Sequence, residues 1–107
     1  MATALIGGLL QQGFKPGDLR VVEVSEEARQ RLQQRFGVSA SPAVDGAIAE
    51  DVVLLAVKPQ HLRAVARDLS ASLRGQLVIS IVAGIRATDL KRWLNGHDRI
   101  VRVMPNT

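Results

Sequence analysis

Two runs, Asp51-Val-Val-Leu-Leu-Ala-Val57 and Leu77-Val-Ile-Ser-Ile-Val-Ala83, are apolar without alternation, and nothing else in the chain restricts its fold so strongly. A strand with one face in water alternates apolar and polar residues. One that is apolar throughout must be covered on both faces, as happens in parallel sheets flanked by helices. The intervening segments supply those helices. After Pro59, the positions Leu62, Val65, Ala66, Leu69 and Leu73 form a helical stripe that stops at Gly75.

The same alternation of elements holds on either side. Leu19-Arg-Val-Val-Glu-Val24 is a β-branched run, followed by Ser25 as an N-cap, Glu26 and Glu27 at the positive end of the helix dipole, and Gly37 as a stop. Ala28, Leu32 and Phe36 share one face of that helix. Val38 to Ser41 reads as a brief strand and Pro42 to Ala49 as a short helix. Past the turn at Gly84, Thr88 is placed to cap a helix that carries Leu90, Trp93 and Leu94 inward before Asn95-Gly96, and Arg99 to Met104 forms a last strand. Strands separated by helices of this length give βαβ units, so the expected class is α/β, a doubly wound, Rossmann-like parallel sheet with right-handed crossovers.

With 107 residues, 47% of them hydrophobic, the chain supports one core and not two. It has no cysteine and two histidines, so no metal site is expected, and a reducing cytoplasm suits it. The net charge of +4 comes from fourteen cations, eleven of them arginines scattered along the sequence, beside two Phe, one Trp and no Tyr. That pattern is a solvated surface and not the basic, aromatic-interleaved face of a nucleic-acid binder.

The apolar start from Met1 to Leu10 has no basic residue before it and closes at Gln11-Gln12, far short of a membrane span, so it reads as a soluble helix over roughly Ala2 to Gln12. Gly7 and Gly8 each cost that helix about 1 kcal/mol relative to Ala. Either they serve close packing or the helix is frayed.

A doubly wound domain begins with a strand and a glycine-rich turn before its first helix, whereas here the first helix opens the chain. In the strand order 3-2-1-4-5-6 the first strand is central. Its absence would separate Leu19 to Val24 from Asp51 to Val57 and leave two open edges in mid-sheet, so the isolated chain is expected to be molten, aggregated or rearranged so that the edges meet.

Four phrases carry a resemblance: Leu5-Ile6-Gly7-Gly8-Leu9 behind Met1-Ala2, Ala56-Val57-Lys58-Pro59-Gln60, Ser80-Ile81-Val82-Ala83-Gly84-Ile85, and Arg102-Val103-Met104-Pro105-Asn106-Thr107. In this order the chain resembles the cofactor domain of pyrroline-5-carboxylate reductase. The resemblance implies an N-terminal domain binding NADP or NAD, here residues 1–107 as a part truncated at both ends, and a C-terminal helical domain, absent here, through which the enzyme forms homo-oligomers. It implies hydride transfer from C4 of the nicotinamide to the C=N carbon of 1-pyrroline-5-carboxylate, giving L-proline, in a cytoplasmic enzyme of proline biosynthesis that needs neither nucleic acid nor membrane. A fragment without the phosphate-binding turn is expected to be inactive alone.

The same resemblance assigns residues. Met1 and Ala2 match the end of the glycine-rich turn, and Ala56, Val57, Lys58 and Pro59 match a strand end lying against the cofactor. Lys58 is otherwise a surface lysine before a helix-starting proline. Val82, Ala83 and Gly84 match the next strand end, where Gly84 is alternatively a turn glycine. Met104, Pro105 and Asn106 match the segment beside the nicotinamide, with Asn106 and Thr107 toward the substrate; Pro105 alternatively ends a strand.

Glu23 or Ser25 occupies the ribose position. An acid there accepts from the 2′-OH of NAD and repels the phosphate of NADP, while Ser25 and Arg29 offer groups for that phosphate. Ala43 stands where relatives often carry Asn near the adenine. No general acid is identified, since His61 faces solvent and His97 sits in a polar turn.

Two other classes fit less well. A related β-hydroxyacid dehydrogenase-type reductase lacks the terminal Met-Pro-Asn-Thr. A receiver-like signalling module requires an acceptor Asp at a strand's carboxyl end, and Asp51 begins its strand instead.

Overall fold

A computed structural model describes residues 2–42, 48–82 and 84–103. Its strands are β1 (Leu19–Val22), β2 (Ser39–Ser41), β3 (Val52–Leu55), β4 (Leu77–Ser80) and β5 (Ile100–Arg102), and its helices α1 (Ala2–Gln11), α2 (Glu26–Phe36), α3 (Pro59–Ser70) and α4 (Ala87–Trp93). The strands form one parallel sheet in the order β2-β1-β3-β4-β5.

Both continuously apolar runs lie inside it. All four residues of β3 are buried. Val52 and Leu54 face the layer that contains Ile6 of α1 and Leu32 of α2. Val53 and Leu55 face the opposite layer, which contains Leu62, Val65, Ala66 and Leu69 of α3 and Leu90 of α4. Two helices on each face explain why neither face of β3 is polar.

Of the outcomes expected for a chain without the central strand, the structure shows the rearranged one, in which the edges meet: the strands within Leu19 to Val24 and Asp51 to Val57 are neighbours. They pair in parallel from Leu19 with Val52 to Val22 with Leu55, and the ladder extends through Asp51 N–H to Asp18 O at 3.1 Å and Ala56 N–H to Val22 O at 3.0 Å. Open edges in mid-sheet would leave several backbone groups buried and unpaired. Pairing the edges satisfies them.

Several boundaries are tighter than the sequence suggests. β1 ends at Val22 because Arg29 holds the next two carbonyls, Nη1 donating to Glu23 O at 2.9 Å and to Val24 O at 2.6 Å. β4 ends at Ser80, whose Oγ accepts from Val82 N–H at 3.3 Å. β3 and β5 stop short likewise, as Val52–Leu55 and Ile100–Arg102. Thr88 does not cap α4; Arg86 holds the cap position in extended backbone without a side-chain bond, so Thr88 falls inside the first turn. The short helix expected from Pro42 to Ala49 lies for the most part outside the described residues.

Helix α2 follows its local sequence closely. Ser25 Oγ accepts from Ala28 N–H at 3.3 Å, and Gly37 ends the helix in the left-handed region at φ 70°. Helix α1 buries Ile6 completely, but its glycines are not demanded by space. A Cβ on Gly7 would meet Phe36 at an ordinary 3.8 Å, and one on Gly8 would meet nothing within 4 Å.

The amino ends of the strands are closed by polar side chains. Arg20 forms a forked pair with the buried Glu50, Nε donating to Oε1 and Nη2 to Oε2, both at 3.1 Å. Buried Gln76 accepts from Arg74 N–H at 2.6 Å and donates to Ile48 O at 3.1 Å. His97 Nε2 lies 2.7 Å from Gln76 O, so that nitrogen carries the proton. The histidine read as merely polar thus fastens the turn before β5 to the start of β4.

Gly8→Ala is expected to raise the unfolding free energy by about 0.5 to 1 kcal/mol. Gly37→Ala should lower it by about 1 kcal/mol, because its φ is positive. Urea denaturation reads both, and a destabilised Gly8→Ala would show that the exposed side of α1 is covered.

Glu50→Ala leaves a largely buried guanidinium without its carboxylate and is expected to cost about 2 to 3 kcal/mol. The same denaturation experiment checks it; a loss below about 0.5 kcal/mol would mean that water replaces the pair.

Candidate functional site

The chain runs outward from β1 to β2, returns to β3, and then proceeds the other way to β4 and β5. The connections therefore diverge between β1 and β3, and a crevice opens outside their carboxyl ends at such a reversal. Because every strand is parallel, all the segments that follow strands reach this one edge. Glu23, Val24 and Ser25 follow β1, Ala56, Val57 and Lys58 follow β3, and Val82 and Gly84 follow β4.

Sequence reasoning named Glu23, Ser25, Ala56, Val57, Lys58, Pro59, Val82 and Gly84, and the fold brings them all to the same edge. Met1, Ala43, Ala83, Met104, Pro105, Asn106 and Thr107 lie outside the described residues. Ala2 opens α1.

The direction of α1 follows from its surroundings. Thr3, near its start, lines a cleft of about 580 Å³ with Glu23, Ala28 and Arg31 at the carboxyl edge. Phe14, past its end, lines a second cleft of about 430 Å³ with Asp51, Gln76 and Arg99 at the amino edge. The N-terminus of α1 therefore points toward the crevice, and α2 and α3 begin there too. Three helix N-termini place partial positive charge and free backbone N–H groups around it.

Side chains complete the rim. Glu23 is half-buried, and its Oε1 accepts from Ser25 N–H at 3.3 Å. Ser25 Oγ is occupied by the N-cap bond to Ala28 as an acceptor, which leaves its hydroxyl proton to donate. Arg29, a candidate for phosphate, has its guanidinium engaged by the Glu23 and Val24 carbonyls. It shapes the loop rather than facing the opening.

Lys58 is exposed at the N-cap of α3, and among the described residues no hydrogen bond or ion pair holds its ammonium. Val57 and Val82 are buried and floor the edge. Gly84 has φ 80° with nothing within 4 Å of a built Cβ, so a turn conformation, not close approach, requires glycine there. His61 is exposed on the first turn of α3.

Sequence reasoning missed Arg31 and Arg35, which line the cleft beside Glu23. Their spacing of one helical turn on α2 was the available clue. The cleft at the amino edge is occupied by structural pairs, with Glu50 bound to Arg20 and Gln76 to Ile48 and Arg74.

The arrangement can hold an elongated anionic ligand, with helix N-termini toward its charge, a cation at Lys58 and an acceptor at Glu23. Residues 1–84 match the family model described as "NADP oxidoreductase coenzyme F420-dependent". A pyrroline-5-carboxylate reductase of Pseudomonas aeruginosa is 39% identical over 109 residues, covering 100% of this chain and 40% of that protein. One from Pasteurella multocida is 42% identical over 112 residues, covering 100% and 41%. A solved pyrroline-5-carboxylate reductase from Coxiella burnetii superposes with a TM-score of 0.77 at 34% identity, over 99% of this chain and 40% of that one. The chain thus spans about two fifths of the length of the curated relatives it matches.

Ser25→Ala is expected to cost about 1 kcal/mol through loss of the N-cap, with Ser25→Asp retaining most of the stability. Lys58→Ala should stay within about 0.5 kcal/mol of the parent. Thermal and urea melts of the three variants check this, and a large loss in Lys58→Ala would make that lysine a structural residue.

Proposed function

Because the chain belongs to the NADP oxidoreductase coenzyme F420-dependent family and is similar over its whole length to pyrroline-5-carboxylate reductases, we propose that it forms the dinucleotide-holding part of such a reductase. The observation that carries the reading is the convergence of Glu23, Ser25 and Ala56 to Lys58 on the crevice at the chain reversal. In the whole enzyme a helical domain completes the imino-acid site and the homo-oligomer, and the enzyme works in the cytoplasm.

When bound, NADH or NADPH would supply a hydride from C4 of the nicotinamide to the C=N carbon of the nitrogen-protonated imine of 1-pyrroline-5-carboxylate, leaving L-proline and the oxidised cofactor. The chain's own residues bind and orient. The N-terminus of α1, which opens at Ala2, would take the pyrophosphate, and the resemblance carries that role to Met1 as well. Lys58 places a mobile cation beside the dinucleotide, and the backbone of Ala56, Val57 and Pro59 lies along it. By the resemblance, Val82 and Gly84 would bound the nicotinamide half, and the roles carried over to Ala83, Met104 and Pro105 beside it, to Asn106 as a partner of the carboxamide or imino acid and to Thr107 toward the substrate fall on residues outside those described. Holding donor and acceptor in register is the protein's share of the rate.

Glu23 sets the choice of cofactor in this reading. Its carboxylate accepts from a ribose 2′-OH, and Arg29 is held by carbonyls instead of being free for a 2′-phosphate. Both features favour NADH.

An enzyme carrying this chain with its flanking domains should oxidise NADH or NADPH only when 1-pyrroline-5-carboxylate is added, and Lys58→Ala should raise the dinucleotide KM about fivefold to tenfold. Spectrophotometric turnover measures both; an unchanged KM would remove Lys58 from the site.

Glu23→Gln should raise the NADPH to NADH affinity ratio by about tenfold, since a carboxylate a few ångströms from a phosphate is neutralised. Parallel titrations followed by nicotinamide fluorescence decide it, and an unaltered ratio would place the ribose elsewhere.

A further inference from the structure

The outer face of α3 and α4 carries a feature that the proposed cofactor site does not use. Arg63 and Arg67 of α3, and Arg92 and Trp93 of α4, line one open groove of about 330 Å³. It is the chain's single tryptophan, half-buried against the core beneath. Arg67 and Arg92 lie in the last turns of their helices, where a cation complements the helix dipole. Arg63 has no such explanation. It stands one turn from Arg67, where like charges repel.

Among the described residues the ion pairs are Arg20 with Glu50, Lys91 with Asp98 and Arg92 with Asp89, so neither Arg63 nor Arg67 is neutralised by a carboxylate.

We propose that this groove is a docking surface for an acidic helical segment of a partner protein. Arginine and tryptophan are the residues that dominate protein contacts, because a guanidinium binds carboxylate in a forked geometry and an indole offers a rigid apolar face. Arg63 and Arg67 are about 6 Å apart along the helix axis. Two glutamates one turn apart on a facing helix match that separation, and an apolar side chain between them reaches Trp93. A single nucleic-acid strand fits less well. The groove has no lysine, it offers one ring for stacking, and Asp89 stands beside Arg92. A contact of this size is weak, transient and salt-sensitive.

Trp93 makes the test direct. The chain is titrated with a fluorescein-labelled alanine-based helical peptide carrying two glutamates at i and i+4 with a leucine beside them. The Lys-for-Glu peptide and a single-stranded oligonucleotide of equal charge serve as comparisons. The expected result is a rise in anisotropy and a shift of Trp93 emission with the acidic peptide alone. Both should weaken at least tenfold in the double variant Arg63→Glu, Arg67→Glu and on raising the salt, with dinucleotide binding unchanged. Silent Trp93 emission in the unaltered chain overturns the proposal without recourse to a variant. Full binding by a folded double variant also overturns it, as does tighter binding of the oligonucleotide.

Discussion

The direct parallel pairing of β1 with β3 is the contact on which the rest of the molecule depends. It joins the half made of β1, α2 and β2 to the half made of β3, α3, β4, α4 and β5. It also fixes where the connections diverge. Separate these strands, and the apolar layers above and below the sheet each lose their middle, since Val52 and Leu54 serve one layer and Val53 and Leu55 the other. Burial on both faces keeps the ladder dry and holds its hydrogen bonds at full strength.

The two ends of that sheet are chemically unlike. At the amino edge the polar side chains satisfy one another, Arg20 with Glu50 and Gln76 with its neighbours, so the edge is a clasp. The carboxyl edge is left with donors and charge that the fold itself does not consume, Lys58 above all, and with helices beginning there. This asymmetry is what supports the proposal of a binding site at the carboxyl end. The residues matched by the family model, 1–84, contain the whole segment from α1 to the end of β4 and so include both ends of those strands.

Much of this was legible in the sequence for identifiable reasons. The unbroken apolar runs announced strands covered on both faces, and the buried stripe of α3 was visible in Leu62, Val65, Ala66 and Leu69. Ser25 and Gly37 marked the ends of α2 because their chemistry is local. The pairing of β1 with β3 was legible only as one of three outcomes, since the choice of neighbour for β1 depends on which edges are available in space and leaves no mark on Leu19 to Val22. The end of β1 was not legible, because it is decided by Arg29 reaching back across a loop. Thr88 misled because a capping residue type stood two residues too late, inside a helix whose cap position is held by Arg86. The grouping of Trp93 with Arg63 and Arg67 joins two helices, and no spacing within either one reveals it.

Backbone amide shifts of the isotope-labelled chain, followed during titration with NADH, test most directly the claim that function sits at the carboxyl edge. The account predicts that the largest changes fall on Thr3, Glu23 to Ser25 and Ala56 to Lys58, with Asp51, Gln76 and Arg99 at the other edge unmoved. Changes concentrated on Asp51, Gln76 and Arg99 would contradict it.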